Sequence, residues 1–185
     1  MRNYLIMFLS VLLLVIFISG CTSQNNNQNI GNSSNLQIKS SAFQQGGEIP
    51  QKYTAKGENV SPPLSWTSIP ADTKSFTITC EDMDANSFTH WIVFNIPGNV
   101  NQLAEGITNQ RTLENGAKQG INDFGKIGYS GPAPPSGIHR YIFKIYALDT
   151  ELNLGVGTTK NDINNTIQGH ILGTSQIEGN FGANS

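Results

Sequence analysis

Two aspartates, two histidines and a tyrosine stand where strand-like segments meet loops, and such side chains can bind an anion or transfer a proton. Asp82 and Asp84 follow the alternating segment SFTITCE, and His90 begins the apolar segment HWIVFNIP. His139 and Tyr141 begin a third segment, HRYIFKIYAL. If the three strands are neighbours, their polar ends converge at one end of a sheet. The sequence therefore predicts one polar site built from three segments, with Asp82 and Asp84 on the same side of an extended chain.

A loop rich in proline and glycine, YSGPAPPSG, is followed by Ile138 and then His139. Proline fixes its own backbone and glycine permits unusual turns, so this loop is expected to be stiff and specifically shaped. A stiff loop beside a strand end is typical of a small-molecule pocket. Strand alternation places His139 and Tyr141 on one face and Arg140 on the other. A purely structural turn, with the histidines as ordinary core residues, is the alternative interpretation.

The composition favours a turn-rich β protein and excludes a nucleic-acid-binding class. The chain of 185 residues has a formal net charge of -2, only 13% charged residues and no basic block, so it lacks the electrostatic footprint of a nucleic-acid partner. Nineteen glycines and eight prolines are typical of β structure with many turns.

The N-terminal segment is typical of a secretory signal. Arg2 precedes an apolar run from Leu5 to Ile18, and a Ser-Gly-Cys sequence ends at Cys21. This end resembles the lipobox of bacterial-type lipoproteins, which implies cleavage before Cys21 and attachment of lipid to its sulfur. We expect residues 1–20 to be the signal peptide, with an uncleaved transmembrane anchor as the alternative. Both place the protein outside the cytoplasmic membrane of a prokaryote and attached to that membrane.

Residues 21–35 are expected to form a flexible tether, and residues 36–185 a single domain. The segment TSQNNNQNIGNSSN is polar and has too few apolar groups to offset the entropy of ordering it. If Cys21 carries lipid, Cys80 is the only other cysteine and no internal disulfide forms. Cys80 lies in an apolar strand and is expected to be a small buried hydrophobic residue.

The domain is expected to be mostly β, an antiparallel β-sandwich with one or two short helices. Segments 90–97 and 140–149 are apolar on both faces, which indicates central strands. Residues 159–169 are the best helix candidate, because Thr159 can cap the first turn and Asp162 favours it. A last strand is predicted from 170 to 181.

Five segments, in order, resemble the phosphatidylethanolamine-binding protein (PEBP) family: NVSPPLSW, DMDA, THWIVFNIPG, YSGPAPPSGIHRYIFKIYALD and GHILGTSQIEGNF. The resemblance spans residues 36–181 and is strongest to the prokaryotic, Raf-kinase-inhibitor-like branch. It implies a sandwich of Greek-key type with a small anion pocket at one end, which in relatives takes phosphate, acetate-like groups or a phospholipid head group. Two departures can alter the pocket wall: Met83 replaces the family's proline, and Phe88 stands where tryptophan is frequent.

The resemblance assigns ligand contacts to residues from all three segments: Asp82, His90, Tyr129, Gly131, Pro132, His139 and Tyr141. It implies supporting roles for Asp84 and Arg140, which are expected to pair with each other, and for Phe88 and Trp66. Gly131 is expected to let backbone N–H groups approach the anion. Asp82 is expected to raise the pKa values of both histidines, so that anion binding strengthens as the pH falls towards about 6.

These features together predict an extracytoplasmic binding domain for a small anion or a phospholipid head group such as phosphoethanolamine, without catalysis, cofactor or metal. An inhibitor or regulatory partner of an envelope protein, resembling protease or kinase inhibitors, is the alternative. A hydrolase is a further alternative, because His, Asp and Tyr can act as acid and base, although the G-x-S-x-G nucleophile motif is absent. A zinc site is disfavoured because its candidate ligands lack short spacings.

Overall fold

The computed structural model describes residues 35–155 and 157–183. Within these residues, the strands are β1 Gln37–Ser40, β2 Gly47–Glu48, β3 Leu64–Thr67, β4 Ser75–Asp82, β5 Phe88–Pro97, β6 Gln102–Leu103, β7 Lys118–Gln119, β8 Ile138–Leu148 and β9 Ile171–Gly182. One α-helix, α1, spans Lys160–Thr166, and a short 3-10 helix spans Gln51–Tyr53. The mostly β fold is confirmed. The predicted signal peptide, Cys21 and nearly all of the tether lie outside the described residues.

The strands form two open sheets. The small sheet has the order β1-β3-β6, and the large sheet has the order β2-β9-β8-β4-β5-β7. All pairings are antiparallel except the short parallel pair of β2 and β9. The long strands β8, β4 and β5 are therefore neighbours, as the convergence of their polar ends requires.

The main hydrophobic core contains side chains from both sheets. Alternate residues of β4, namely Phe76, Ile78 and Cys80, are fully buried in it. Trp66 of β3 packs edge-on against Phe76, with ring centroids 5.3 Å apart. The buried position predicted for Cys80 is confirmed, and burial raises the pKa of its thiol well above the usual value.

A second hydrophobic cluster covers the other face of the large sheet, where Ile92 and Phe94 of β5 meet Ile163 of helix α1. Because β5 contributes to both clusters, it is buried on both faces, which explains its continuous apolar sequence. The helix begins as predicted: Thr159 accepts from the backbone N–H of Asp162, and the Asp162 carboxylate accepts from the backbone N–H of Thr159.

Candidate anion-binding site

The polar ends of β8, β4 and β5 meet at one end of the large sheet. Asp82 lies opposite Tyr141 of β8 on one side and opposite Phe88 of β5 on the other. His139 precedes Tyr141 by two residues in the same strand, so both side chains project from one face of the sheet. The ladder register thus brings the residues of three separate segments into one cluster.

Asp82 and His139 form a close pair at the base of this cluster. The distance from His139 Nδ1 to Asp82 Oδ2 is 2.7 Å, and Asp82 is only 4% exposed. An ionised carboxylate only accepts hydrogen bonds, so this contact assigns the proton to Nδ1 and leaves Nε2 for a ligand. The other carboxylate oxygen, Oδ1, accepts from the backbone N–H of Asp84 at 3.0 Å.

A β-bulge brings His90 to the cluster. Cys80 pairs with Trp91 and Glu81 with Thr89, so His90 has no residue opposite it. Strict alternation would place His90 on the opposite face from its buried neighbour Trp91. The ring of His90 instead lies 5.2 Å from that of Tyr141, nearly perpendicular to it.

The loop before β8 fixes the protonation of His90. Its Nδ1 lies 2.6 Å from the carbonyl oxygen of Ser130, and a carbonyl only accepts, so Nδ1 carries the proton and Nε2 is left over. Burial lowers the pKa of His90, and this outweighs the opposing effects of the Ser130 carbonyl and the Asp82 carboxylate. The predicted rise in the pKa of His90 is therefore wrong, because desolvation exceeds the attraction to Asp82.

Tyr141 carries a buried hydroxyl that makes no hydrogen bond of regular geometry among the described residues, although the Asp82 carboxylate and the backbone of Ala133 lie close to it. Burial raises the pKa of this phenol well above its usual value, and the nearby Asp82 carboxylate adds to the rise. The hydroxyl therefore keeps its proton throughout the physiological range and is available to donate. An unpaired buried hydroxyl costs roughly 1–3 kcal/mol, which a ligand oxygen could offset.

Two further aromatic rings, those of Phe88 and Phe124, pack against His90. Both pack edge-on against the imidazole, with ring centroids 5.7 and 5.2 Å away. Phe124 is 45% exposed and comes from the loop before Tyr129. Sequence reasoning included Phe88 but missed Phe124, because its NDFG context indicates only a turn.

Three residues of the 129–132 segment serve the protein structure in ways that the sequence analysis did not predict. Tyr129 is buried, and its hydroxyl donates to the Tyr53 carbonyl at 2.8 Å, so this phenol does not face a ligand. The Gly131 N–H donates to Asn59 Oδ1 at 2.7 Å and is likewise occupied. The Pro132 carbonyl accepts from the Ala55 N–H.

Gly131 is required by close packing between loops. A Cβ atom at this position would lie 2.6 Å from the Tyr53 carbonyl oxygen and 2.8 Å from the Thr54 Cα. The close backbone approach expected at Gly131 thus exists, but its partner is the 53–54 backbone.

The supporting residues divide between the site edge and the core. Asp84 accepts from the backbone N–H of Arg140 at 2.8 Å and from its guanidinium at 3.0 and 3.1 Å, which forms the expected pair. The chain turns after Asp82, and the two carboxylates have different partners, His139 for Asp82 and Arg140 for Asp84. Trp66 packs on Phe76, at the opposite end of β4 from Asp82, and so it supports the core rather than the site.

Neither a metal centre nor a membrane-spanning helix occurs in the described part of the chain. No group of three or more His, Cys, Asp or Glu residues there is arranged to hold a metal ion. The helices of residues 35–155 and 157–183 are too short to cross a membrane.

Comparison with known proteins identifies the family. The family model for phosphatidylethanolamine-binding proteins matches residues 39–182. The chain belongs to the phosphatidylethanolamine-binding protein family. The match covers β2 to β9 and the second half of β1, so every element of the cluster is part of the PEBP domain.

Relatives of this PEBP domain occur in archaea and bacteria. The UPF0098 protein of Methanothermobacter thermautotrophicus is 47% identical over 146 residues, which cover 78% of this chain and 97% of the relative. A PEBP homologue from Chlamydia trachomatis with a known crystal structure is 38% identical in sequence to this chain. The two structures superpose with a TM-score of 0.74 over 80% of this chain and 97% of the homologue. Escherichia coli YbcL, described as a new member of the mammalian PEBP family, is 30% identical with a TM-score of 0.73, covering 80% and 98%.

Proposed function

We propose that this PEBP domain binds a small oxyanion, either free phosphate or a phospholipid head group such as phosphoethanolamine. The observation that carries the proposal is the buried Tyr141 hydroxyl, which makes no hydrogen bond of regular geometry among the described residues; its ring lies beside His90, and Tyr141 is opposite Asp82 in the sheet. A phosphate oxygen is a strong acceptor that would satisfy this hydroxyl. The name of the family supports a ligand of this class.

The two histidines would bind the anion through their Nε2 atoms. Both Nδ1 protons are already committed, that of His90 to the Ser130 carbonyl and that of His139 to the Asp82 carboxylate. A neutral imidazole of this tautomer has a lone pair on Nε2 and cannot donate there. An oxyanion must therefore arrive as a protonated P–OH group or bind together with a proton. Either way, affinity should increase as the pH falls.

The proposal concerns binding rather than turnover. Among the described residues, the cluster pairs Asp82 and His139 with a phenol of raised pKa, and none of these side chains is placed as an activated nucleophile. The Nδ1–H of His139 is held by Asp82, as in catalytic pairs, so an ester panel is included in the test below.

Calorimetric titration of the full-length protein in detergent with phosphate and with phosphoethanolamine tests the proposal. We expect binding that weakens at least about tenfold in His139→Ala and His90→Ala, because each loses a ligand contact of hydrogen-bond strength. His170→Ala is the matched control. It removes another histidine–aspartate pair, His170–Asp149 at 2.8 Å, near the opposite end of β8.

Equal affinities in all three variants would contradict the proposed site. If the wild type steadily releases product from phosphate or carboxylate esters and His139→Ala does not, the function is hydrolysis and the binding proposal is wrong. Binding of phosphoethanolamine but not of phosphate would indicate that the head group, and not the bare anion, is recognised.

We also propose that the domain is a lipoprotein of the Raf-kinase-inhibitor-like branch, held outside the cytoplasmic membrane by lipid on Cys21. The signal-like segment and the Ser-Gly-Cys sequence support the anchor. The archaeal and bacterial relatives support the prokaryotic branch. A lipid anchor would keep the anion site close to phospholipid head groups, and the same site would be available to an envelope protein partner.

A further inference from the structure

Asn122 is a buried polar residue next to the candidate site that sequence analysis did not single out. It is only 2% exposed. Its Nδ2 donates to the Gly128 carbonyl at 3.1 Å, to Ser130 Oγ at 3.0 Å and to the His90 carbonyl at 3.3 Å. Its Oδ1 accepts from the backbone N–H groups of Phe124 and Lys126 at 3.1 and 3.0 Å. One side chain thus ties both ends of a loop, residues 122–130, to strand β5.

The 122–130 loop surrounds His90. The Ser130 carbonyl accepts the His90 Nδ1–H, and the Ser130 N–H donates to the His90 carbonyl at 3.1 Å. Phe124, from the other end of the loop, packs edge-on against the imidazole. The ring of His90 is therefore held on two sides by a loop whose shape depends on Asn122.

The β-bulge explains why this clamp is needed. His90 has no partner opposite it in β4, and a bulged residue is left out of the regular ladder. The N–H of Ser130 and the amide of Asn122 instead satisfy its carbonyl. These bonds hold the backbone of His90 where the ladder does not, beside two bonds between Thr89 and Asp123 of 2.9 and 2.7 Å that tie the same loop to β5.

We propose that Asn122 is the positioning residue of the anion site and acts on the ligand through His90. By holding the 122–130 loop, it keeps the Ser130 carbonyl on Nδ1 of His90 and so fixes Nε2 as the ligand-facing nitrogen. The expected effect of Asn122 on anion binding rests on the proposed function. The expected effect of Asn122 on the His90 tautomer does not depend on any ligand.

The test uses Asn122→Ala and Asn122→Asp in the full-length protein. The aspartate keeps both accepting bonds to Phe124 and Lys126 but cannot make the donated bonds, and it preserves side-chain size if the alanine variant does not fold. Asn95→Ala is the matched control. Asn95 lies in the same strand and clamps Leu152 by two hydrogen bonds of 2.9 and 2.7 Å, on the far side of β5 from His90.

Two measurements are made, ¹⁵N NMR of the His90 ring without ligand and titration with inorganic phosphate. In the wild type and in Asn95→Ala we expect the Nδ1–H tautomer of His90 and equal phosphate affinity. In both Asn122 variants we expect loss of the single tautomer and about tenfold weaker phosphate binding. A folded Asn122 variant with an unchanged His90 spectrum and unchanged phosphate affinity would overturn the proposal.

The two readouts separate this proposal from the proposed function. If the wild type fails to bind phosphate while the Asn122 variants still alter the His90 spectrum, the anion site is wrong and the positioning of His90 stands. If the wild type binds phosphate and Asn95→Ala disturbs His90 as much as Asn122→Ala does, the positioning role is wrong and the anion site stands.

Discussion

His90 and His139 are the same residue type at one end of one sheet, yet their surroundings differ. His139 faces a carboxylate, whereas His90 faces a carbonyl and two aromatic rings. Burial lowers the pKa of His90 even though a carboxylate lies nearby. His90 therefore contributes a pH dependence that its nearest carboxylate alone would not predict.

The depressed pKa of His90 predicts a pH-dependent stability. Its ordinary pKa is 6.5, which applies to the unfolded chain, and the folded value is lower. As the pH falls below 6.5, His90 binds a proton more readily in the unfolded chain than in the folded one. The contribution of His90 to the free energy of unfolding is therefore fully present above pH 6.5 and is lost as the pH falls through the folded pKa. Denaturant unfolding between pH 5 and pH 8 should show this slope without phosphate, and His90→Asn should reduce it. A slope that is the same in both proteins would contradict the assignment to His90.

Tyr141→Phe should separate stability from binding. It removes a buried hydroxyl that makes no hydrogen bond of regular geometry within residues 35–155 and 157–183, and removal of an unsatisfied polar group is close to neutral or stabilising. We therefore expect an unchanged or higher melting temperature without ligand, together with phosphate affinity reduced about tenfold. A clear loss of stability without ligand would show that the hydroxyl is already satisfied within the protein.

At the scale of elements, two irregular features build the site. A bulge in β5 turns His90 towards Tyr141, and the loop before β8 supplies the Ser130 carbonyl. That loop is in turn packed against the 53–55 segment through Tyr129, Gly131 and Pro132. Tyr129, Gly131 and Pro132, which were predicted to contact the ligand, thus hold in place the loop that contacts His90.

Gly131→Ala should disturb the site by displacing this loop. The new Cβ would lie 2.6 Å from the Tyr53 carbonyl oxygen, closer than real Cβ contacts allow. Overpacking of this kind costs about 1–3 kcal/mol, which denaturant unfolding can measure, and phosphate affinity should fall with it. Gly155→Ala is the control, because a Cβ there meets no atom within 4 Å. Equal stability of both variants would show that the loop can move without cost.

At the scale of the whole molecule, the proposed anion site would belong to a domain that the proposed lipid anchor attaches to a membrane. The site lies at one end of the large sheet, and β4, β5 and β8 extend from it through the core. A lipid anchor on Cys21 would raise the local concentration of phospholipid head groups without changing the site itself.

Cys21→Ser tests the anchor. Lipid attachment needs the thiol, so we expect wild-type protein in the membrane fraction to incorporate labelled fatty acid and Cys21→Ser to lose the label. Cys80→Ala is the control, since Cys80 is a buried free thiol of the domain. Retention of the label in Cys21→Ser would contradict lipidation at Cys21. Absence of the label from the wild type, with the protein still in the membrane fraction, would indicate an uncleaved anchor.

Much of the fold and part of the site could be predicted from the sequence. Alternation in SFTITCE, apolar runs in β5 and β8, and the Thr159 cap are local patterns, so they indicate their elements directly. The roles of Tyr129, Gly131 and Trp66 could not be predicted from the chain alone. Their partners are more than 70 residues away for Tyr129 and Gly131, and in the other sheet for Trp66.

The sequence by itself determined the strand pattern, the family and the set of residue types at the strand ends, because periodicity and short motifs are local properties. Only the tertiary structure decided which of these side chains face one another. The bulge at His90, the Ser130 carbonyl beneath its Nδ1 and the Asn122 clamp all depend on register between strands and on contacts between distant loops. Burial also decided the sign of the pKa change at His90, since desolvation depends on all surrounding atoms and not on the nearest charge in the sequence.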